Sequence, residues 1–360
     1  MNEFKSPFFL GSSAPCGFFS LFDELRRPLD GWYTYIIKGG PGTGKSSMMN
    51  AIAKKLEQEG LCVERIYCAS DPLSLDAIIC DSLRVSIADG TSPHTLETRY
   101  PGVCDEIIDL GKYWNSVKLA ENADKIIDLT DKNAVCYKKC RRFLEAAYGL
   151  NDDACRIVSA AMDETRLARY ASRLVARHLP PPSGRIGTVK RRMIEAVTPQ
   201  GYFVFDSAVA ACETAVVFED DTSCCAVALI EQLRRYILGN GLDAVCCYGI
   251  DGTCRHLIVP QISLGFFTAD RYCNFDLPNV KRVKLRRYLD SEKLNESRAR
   301  LAFSRKARDE FMKEALSAVS QAKEIHDGLE KYYINAMDFS GVEKTKEELL
   351  SKLLLRKRYD

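Results

Sequence analysis

The strongest chemical signal in the sequence is eight consecutive residues, Gly39-Gly40-Pro41-Gly42-Thr43-Gly44-Lys45-Ser46. They satisfy G-x-x-x-x-G-K-[ST], the P-loop pattern. A polyphosphate end is densely negative, and backbone N–H groups can wrap it only where the chain turns tightly around it. Glycines permit those turns and that close approach. A helix opening at Lys45 adds its free N–H groups and its dipole. Lys45 then places a positive charge between the β- and γ-phosphates, and the Ser46 hydroxyl is a ligand for Mg²⁺. The expected nucleotide contacts are Gly39, Gly40, Pro41, Gly42, Thr43, Gly44, Lys45, Ser46 and Ser47, with ATP or GTP and Mg²⁺ as the bound species.

Mg²⁺ in such a site also needs an acid at the end of a neighbouring strand. Asp89, which closes Arg84-Val85-Ser86-Ile87-Ala88, is the expected partner, although Asp89-Gly90 is also a good turn pair. Asp71, in Cys68-Ala69-Ser70-Asp71-Pro72, could orient water or accept a proton from a substrate hydroxyl; its competing role is to cap a following helix. His94 could sense the γ-phosphate or position a nucleophile. Lys45, Asp71 and His94 are thus the catalytic candidates, and Ser46 and Asp89 the metal candidates.

These residues need elements to hold them. Tyr33 to Lys38 reads as the strand leading into the loop, and Lys45 to Glu59 as the helix leading out, with Met48, Met49, Ile52, Ala53 and Leu56 on its buried face. Cys62 to Cys68 and Arg84 to Ala88 read as further buried strands, with a short helix near Leu73 to Cys80 between them. Alternating strands and helices argue for a parallel sheet. From Lys118 to Gly149 apolar residues recur at gaps of mostly three and four. Gly149 reads as the end of that helix, and Asn151 or Asp152 as the cap of a second helix reaching Arg177.

The chain repeats itself after about 175–185 residues. Ala14-Pro15-Cys16-Gly17-Phe18-Phe19 matches Thr198-Pro199-Gln200-Gly201-Tyr202-Phe203, and Ala161-Met162-Asp163 matches Ala336-Met337-Asp338. Between the copies lies Pro180-Pro181-Pro182-Ser183-Gly184, a stretch that cannot continue a helix. The expected division is therefore residues 1–182 (core 1–114, helical hairpin 115–179) and residues 183–360 (core 185–289, hairpin 290–356). The fold class is α/β: tandem P-loop NTPase-like parallel-sheet domains, each followed by a long helical hairpin.

The second copy lacks the phosphate chemistry. Its aligned loop is Glu219-Asp220-Asp221-Thr222-Ser223-Cys224-Cys225-Ala226, with Cys225 at the position of Lys45 and Ala226 at that of Ser46. Three acids there would repel a nucleotide, so this half reads as catalytically inert.

Composition narrows the rest. With 360 residues, a net charge of +2 and 46% hydrophobic residues, the chain can fill two cores and gives no overall reason to expect nucleic acid as partner. The basic runs Lys190-Arg191-Arg192, Lys281 to Arg287 and Arg356-Lys357-Arg358 lack interleaved aromatics and read as solvated helix faces. No apolar run is long enough to span a membrane, and the first ten residues make a poor signal peptide. The 15 cysteines are odd in number and lack C-x-x-C spacing, so they read as reduced thiols in a cytoplasmic protein. A homo-oligomer is compatible with all of this.

The chain resembles a family of uncharacterised bacterial proteins built as tandem P-loop ATPase-like, or nucleotide-kinase-like, repeats. The resemblance rests on Pro15-x-Gly17-Phe18, the Gly39–Ser46 loop, Ser70-Asp71-Pro72-x-Ser74-Leu75-Asp76, Asp89-Gly90-Thr91-x-Pro93-His94, Tyr100-Pro101-Gly102 and Asp105 to Leu110. It implies nucleotide binding and covers nearly the whole chain. Members carry a P-loop in each half, and this sequence departs from that in its second. The expected function is Mg²⁺-dependent ATP hydrolysis in the N-terminal half. The alternatives are a small-molecule or nucleotide kinase with Asp71 as base, and a nucleotide-sensing module with little turnover. A small-molecule or protein substrate would complete the first two.

Overall fold

The computed structural model describes residues 6–93, 95–278 and 280–357. It is α/β, with two six-stranded mixed sheets and two two-stranded ribbons. The residues form two compact units. One comprises Pro7–Ser12, Ser20–Lys139 and Ser317–Asp360; the other comprises Met1–Ser6, Ser13–Phe19 and Cys140–Leu316. This grouping differs from the expected division at residue 182. The long helices Ala123–Ala160 and Arg298–Ala336 each contribute residues to both units.

In the unit that holds the glycine loop, the strand order is Phe8–Phe9, Glu64–Cys68, Asp71–Cys80, Val85–Asp89, Tyr33–Lys38, Asp105–Asp109. Tyr33–Lys38 is central and parallel to both neighbours, with Ile37 paired to Asp89 on one side and to Ile108 on the other. The sheet is not all parallel: Asp71–Cys80 runs antiparallel to the strands on either side. That strand lies where a helix was expected over Leu73 to Cys80. The reason is burial on both faces. Residues 75–80 are all buried, and a short continuous apolar run has no period to separate strand from helix.

Helix Lys45–Gln58 packs Met49, Ile52, Ala53 and Leu56 on this sheet, in one core with Ile37, Ile78 and Ile87. The same core takes Val342, Leu349 and Leu353 from the C-terminal helix Phe339–Arg356. A segment about 230 residues beyond the sheet's last strand therefore contributes to its core, at a modest cost in loop closure.

The other unit repeats the plan. Its sheet order is Val189–Arg192, Ala244–Tyr248, Cys254–Val259, Leu264–Ala269, Thr214–Glu219, Lys281–Lys284. Thr214–Glu219 is again parallel to both neighbours, and helix Cys224–Gly239 follows it. Leu229, Ile230 and Leu233 of that helix share a core with Phe218 and Phe266, and with Leu167, Ala171 and Leu174 of helix Glu164–His178. Two of the basic runs expected on helix faces lie instead in the strands Val189–Arg192 and Lys281–Lys284, and Arg192 is fully buried.

The hairpin break also falls elsewhere. Helix Ala123–Ala160 runs straight through Gly149 and Asn151. A mid-helix glycine costs only about 1 kcal/mol relative to alanine, and tertiary packing absorbs it. The chain turns at Ala161-Met162-Asp163, where the Asp163 side chain accepts the backbone N–H of Arg166 and caps helix Glu164–His178. Asp338 does the same for Phe339–Arg356 by accepting the N–H of Ser340. Both turns are the matched tripeptides of the internal repeat.

Among the described residues no helix is long and apolar enough to cross a membrane. The fifteen cysteines form no disulfide.

Candidate functional site

The glycine loop leaves the end of strand Tyr33–Lys38 and enters helix Lys45–Gln58. Gly42 and Gly44 have φ of 68° and 86°, the left-handed region that an L side chain rarely adopts. Gly44 is the residue before the helix, so the left-handed turn aims the first N–H groups of the helix back into the loop. The Thr43 hydroxyl donates to the Gly40 carbonyl at 2.9 Å and ties the loop on itself.

Lys45 folds into the same turn. Its ammonium donates to the carbonyls of Gly39 (3.0 Å) and Gly40 (2.7 Å) and lies 3.5 Å from the Asp89 carboxylate. Asp89 ends the strand paired with Tyr33–Lys38 and accepts the backbone N–H and hydroxyl of Thr91 at 2.8 and 2.6 Å. Ser46 sits in the first turn of the helix, and its Oγ accepts the N–H of Leu75 at 2.9 Å. Loop, helix N-terminus, lysine and strand-end acid therefore converge on one spot, with Ser46 next to Lys45 in the first helical turn. Lys38 is turned aside: it binds the Gly90 carbonyl at 2.9 Å and pairs with Glu97 at 2.6 Å.

Asp71 is placed differently. It opens a strand, not a helix; its carboxylate accepts the N–H of Leu73 and the hydroxyl of Ser74, and it lies 3.5 Å from the Lys323 ammonium. The capping role for Asp71 falls with the helix it would have capped. His94 lies outside the described residues.

Sequence reasoning missed the segment that covers the loop. In this unit, residues 317–336 of the long helix bring Glu330, Tyr333 and Ile334 against it. A Cβ on Gly42 would stand 2.7 Å from Ile334 Cγ1 and 2.8 Å from Glu330 Cγ, and one on Gly40 would stand 3.0 Å from the Tyr333 ring. Burial holds the His326 imidazole below its ordinary pKa against the opposing charge of Glu330, and the positive charges of Lys323 and Lys45 push the same way as burial. On Lys323, burial works against the charge, yet the hydrogen bond to Asp327 and the charge of Asp71 outweigh it and leave the ammonium above its usual value. The sequence carries one signal of this: His326, Glu330, Tyr333 and Ile334 recur at helical spacing. Nothing in that spacing says which surface they meet.

The loop of the other unit is built differently from the expected alignment. Ser223, at φ 63°, is the left-handed residue before helix Cys224–Gly239. It thus stands where Gly44 stands, which puts Cys224 at the position of Lys45 and Cys225 at that of Ser46. The expected match of Cys225 and Ala226 is off by one residue, because this loop is shorter. Its acids also do more than repel. The Asp220 carboxylate turns inward and accepts the N–H groups of Thr222 (3.2 Å) and Ala226 (3.0 Å) and the Thr222 hydroxyl (3.1 Å). A carboxylate of the chain itself takes the helix N–H groups that a phosphate would use. Burial pushes the Asp220 pKa up, against those hydrogen bonds.

Beside it lies a buried charge network. Arg255 reaches Glu195 at 3.2 Å and Asp270 at 2.7 Å. His256 accepts the N–H of Thr268 on Nδ1, so its proton is on Nε2, facing Glu195 at 3.6 Å. Glu195, His256 and Cys273 are close enough to suggest a metal centre. The tautomer argues otherwise: Nε2 carries the proton and has no lone pair to give. Glu195 already balances Arg255, and the three residues read as a core ion-pair network.

No family model matches the chain, and no curated protein and no solved structure matches it.

Proposed function

We propose that this chain is an ATP- or GTP-binding P-loop protein that hydrolyses the nucleotide with Mg²⁺ at the Gly39–Ser46 loop. One observation carries the reading: the Lys45 ammonium at the mouth of the loop lies 3.5 Å from Asp89, at the end of the neighbouring parallel strand. The donor set fits a nucleotide and its metal. Two left-handed glycines open the turn, the helix N-terminus supplies N–H groups, and a lysine supplies charge. A serine hydroxyl and a carboxylate are the oxygen ligands a hard cation takes. The resemblance to tandem P-loop ATPase-like proteins points the same way.

In this reading Lys45 exchanges its two carbonyl partners for phosphate oxygens, which stabilises charge on the transferring phosphoryl group. Ser46 and Asp89 are the residues that would hold Mg²⁺, whose charge would offset that of the phosphates. Glu330, against Gly42, covers the loop, and Glu330 and the nearby His326 are groups able to move a proton there. The second unit holds no nucleotide in its loop: Asp220 satisfies that helix end from within, and the glycines and the lysine are missing.

The test is nucleotide binding and phosphate release, by the wild type and Lys45→Ala. The wild type should bind one ATP or GTP per chain in Mg²⁺ and release phosphate without an added acceptor, and the variant should do neither. Phosphate transfer only on adding an acceptor would make it a kinase, and binding without turnover a sensor. Absence of binding by the wild type would sink the reading altogether.

A further inference from the structure

In the unit with the degenerate loop, a cleft of about 810 Å³ opens beside residues 219–222. That volume is in the range of small-molecule sites. Two helix faces wall it. From helix Ala123–Ala160 come Leu150, Ala154 and Val158, an apolar stripe at a spacing of four. From helix Arg298–Ala336 come Arg298, Leu301, Arg305 and Arg308, at gaps of three, four and three. Positions at that spacing normally carry the apolar residues that would close against the facing stripe. Here three of the four are arginines.

Those arginines are not balanced by ion pairs. The guanidinium groups of Arg298 and Arg305, and of Arg286 across the cleft, form no hydrogen bond or ion pair among the described residues. Arg308 is the fixed point. It is 9% exposed and stacks 5.4 Å over the Tyr272 ring, and its Nη1 donates to Asn151 and to the Asp221 carbonyl. Its buried Nε has no partner. A buried guanidinium N–H left unpaired costs about 1–3 kcal/mol. It lines this cleft and the adjoining one over Asp270. Two of the cleft's three acids are spoken for: Glu219 pairs with Arg282 at 3.3 Å, and Asp220 is held by the helix N–H groups; the Asp221 carboxylate is the third and is outnumbered by the arginines.

We propose that this cleft binds a phosphate monoester with an apolar body. The arginines take the phosphoryl group, which guanidinium forks match in geometry and charge. The Leu150–Ala154–Val158 face takes the body. The second copy has then exchanged a backbone cradle for an arginine one, beside the loop and not in it.

Calorimetric titration of the full chain carrying Lys45→Ala, with 1-naphthyl phosphate as probe, tests this apart from the glycine loop. Naphthyl phosphate should bind one per chain; inorganic phosphate and 1-naphthol should each bind at least roughly tenfold more weakly, since each lacks one half of the match. Adding Arg298→Ala with Arg305→Ala should weaken binding by roughly tenfold or more. Both side chains are exposed and unpaired, so circular dichroism and the melting temperature should not change. Absent binding, binding unchanged in the arginine variant, or binding present in the wild type and lost with Lys45→Ala would each overturn the proposal. Nucleotide binding by the wild type is measured separately and stands or falls alone.

Discussion

The carboxylate of Asp220 accepts the backbone N–H of Ala226 at 3.0 Å, so the degenerate loop caps its own helix. Removing that cap should cost stability without restoring a nucleotide site. Asp220→Ala should lower unfolding free energy by about 1–2 kcal/mol, as for other helix caps. Nucleotide stoichiometry should stay at one per chain. A value of two in the variant would show that Asp220 alone excluded the nucleotide.

Asp89 faces Lys45 across the mouth of the glycine loop. Asp89→Asn keeps the hydrogen-bonding shape and removes the charge. The variant should still bind nucleotide but need roughly 10–100-fold more Mg²⁺ for turnover, the range seen when a group that orients a metal ligand is lost. A Mg²⁺ titration of phosphate release reads this, and an unshifted curve would remove Asp89 from the metal site.

Gly42 and Gly60 are both left-handed, at φ 68° and 82°, but only Gly42 is crowded. A methyl at Gly42 meets Ile334 and Glu330, and one at Gly60 meets nothing within 4 Å. Gly42→Ala should therefore destabilise by about 1–3 kcal/mol more than Gly60→Ala, the cost of overpacking a fixed site. Thermal melting of the two variants decides it; equal shifts would mean that the covering helix yields freely.

Burial alone would raise the Glu195 carboxyl, but Arg255 beside it and the His256 hydrogen bond outweigh burial and hold it at about 2. The folded value lies below the unfolded one, so this stabilisation is complete above the unfolded pKa of 4.5 and is lost as pH falls from there toward 2. Denaturant unfolding between about pH 5 and pH 3 should show wild-type stability falling more steeply than that of Glu195→Gln. Parallel slopes would mean that Glu195 is not ionised in the fold.

Cys224 occupies the structural position of Lys45. The hydrogen bond with the Cys155 thiol, aided by Ser159 and against burial, draws its own thiol down to about 7. Its alkylation by iodoacetamide should reach half-maximal rate near neutral pH, and Cys155→Ala, which removes the donor, should move that midpoint upward. A midpoint that the substitution leaves in place would break the link between the two thiols.

Local pattern made much of this protein legible. The strand Tyr33–Lys38, the Gly39–Ser46 loop, the helix at Lys45 and its buried face follow from spacing alone, because a glycine-rich turn between a β-branched run and an amphipathic helix has one local solution. The repeat was legible too, down to the Asp163 and Asp338 turns. Asp89 was placed because a strand-end acid next to the loop strand is a matter of register.

What the sequence could not decide was set by contacts distant along the chain. Asp71–Cys80 is a strand because a strand on either edge takes its backbone hydrogen bonds and residues 75–80 are buried on both faces. Glu330 and Ile334 meet Gly42, and Leu349 and Leu353 complete the core of the first sheet, although that sheet has its own helices next in sequence. An amphipathic stripe specifies that a helix must be covered, not by what; two similar copies offer two similar partners, and only the packed structure chooses between them.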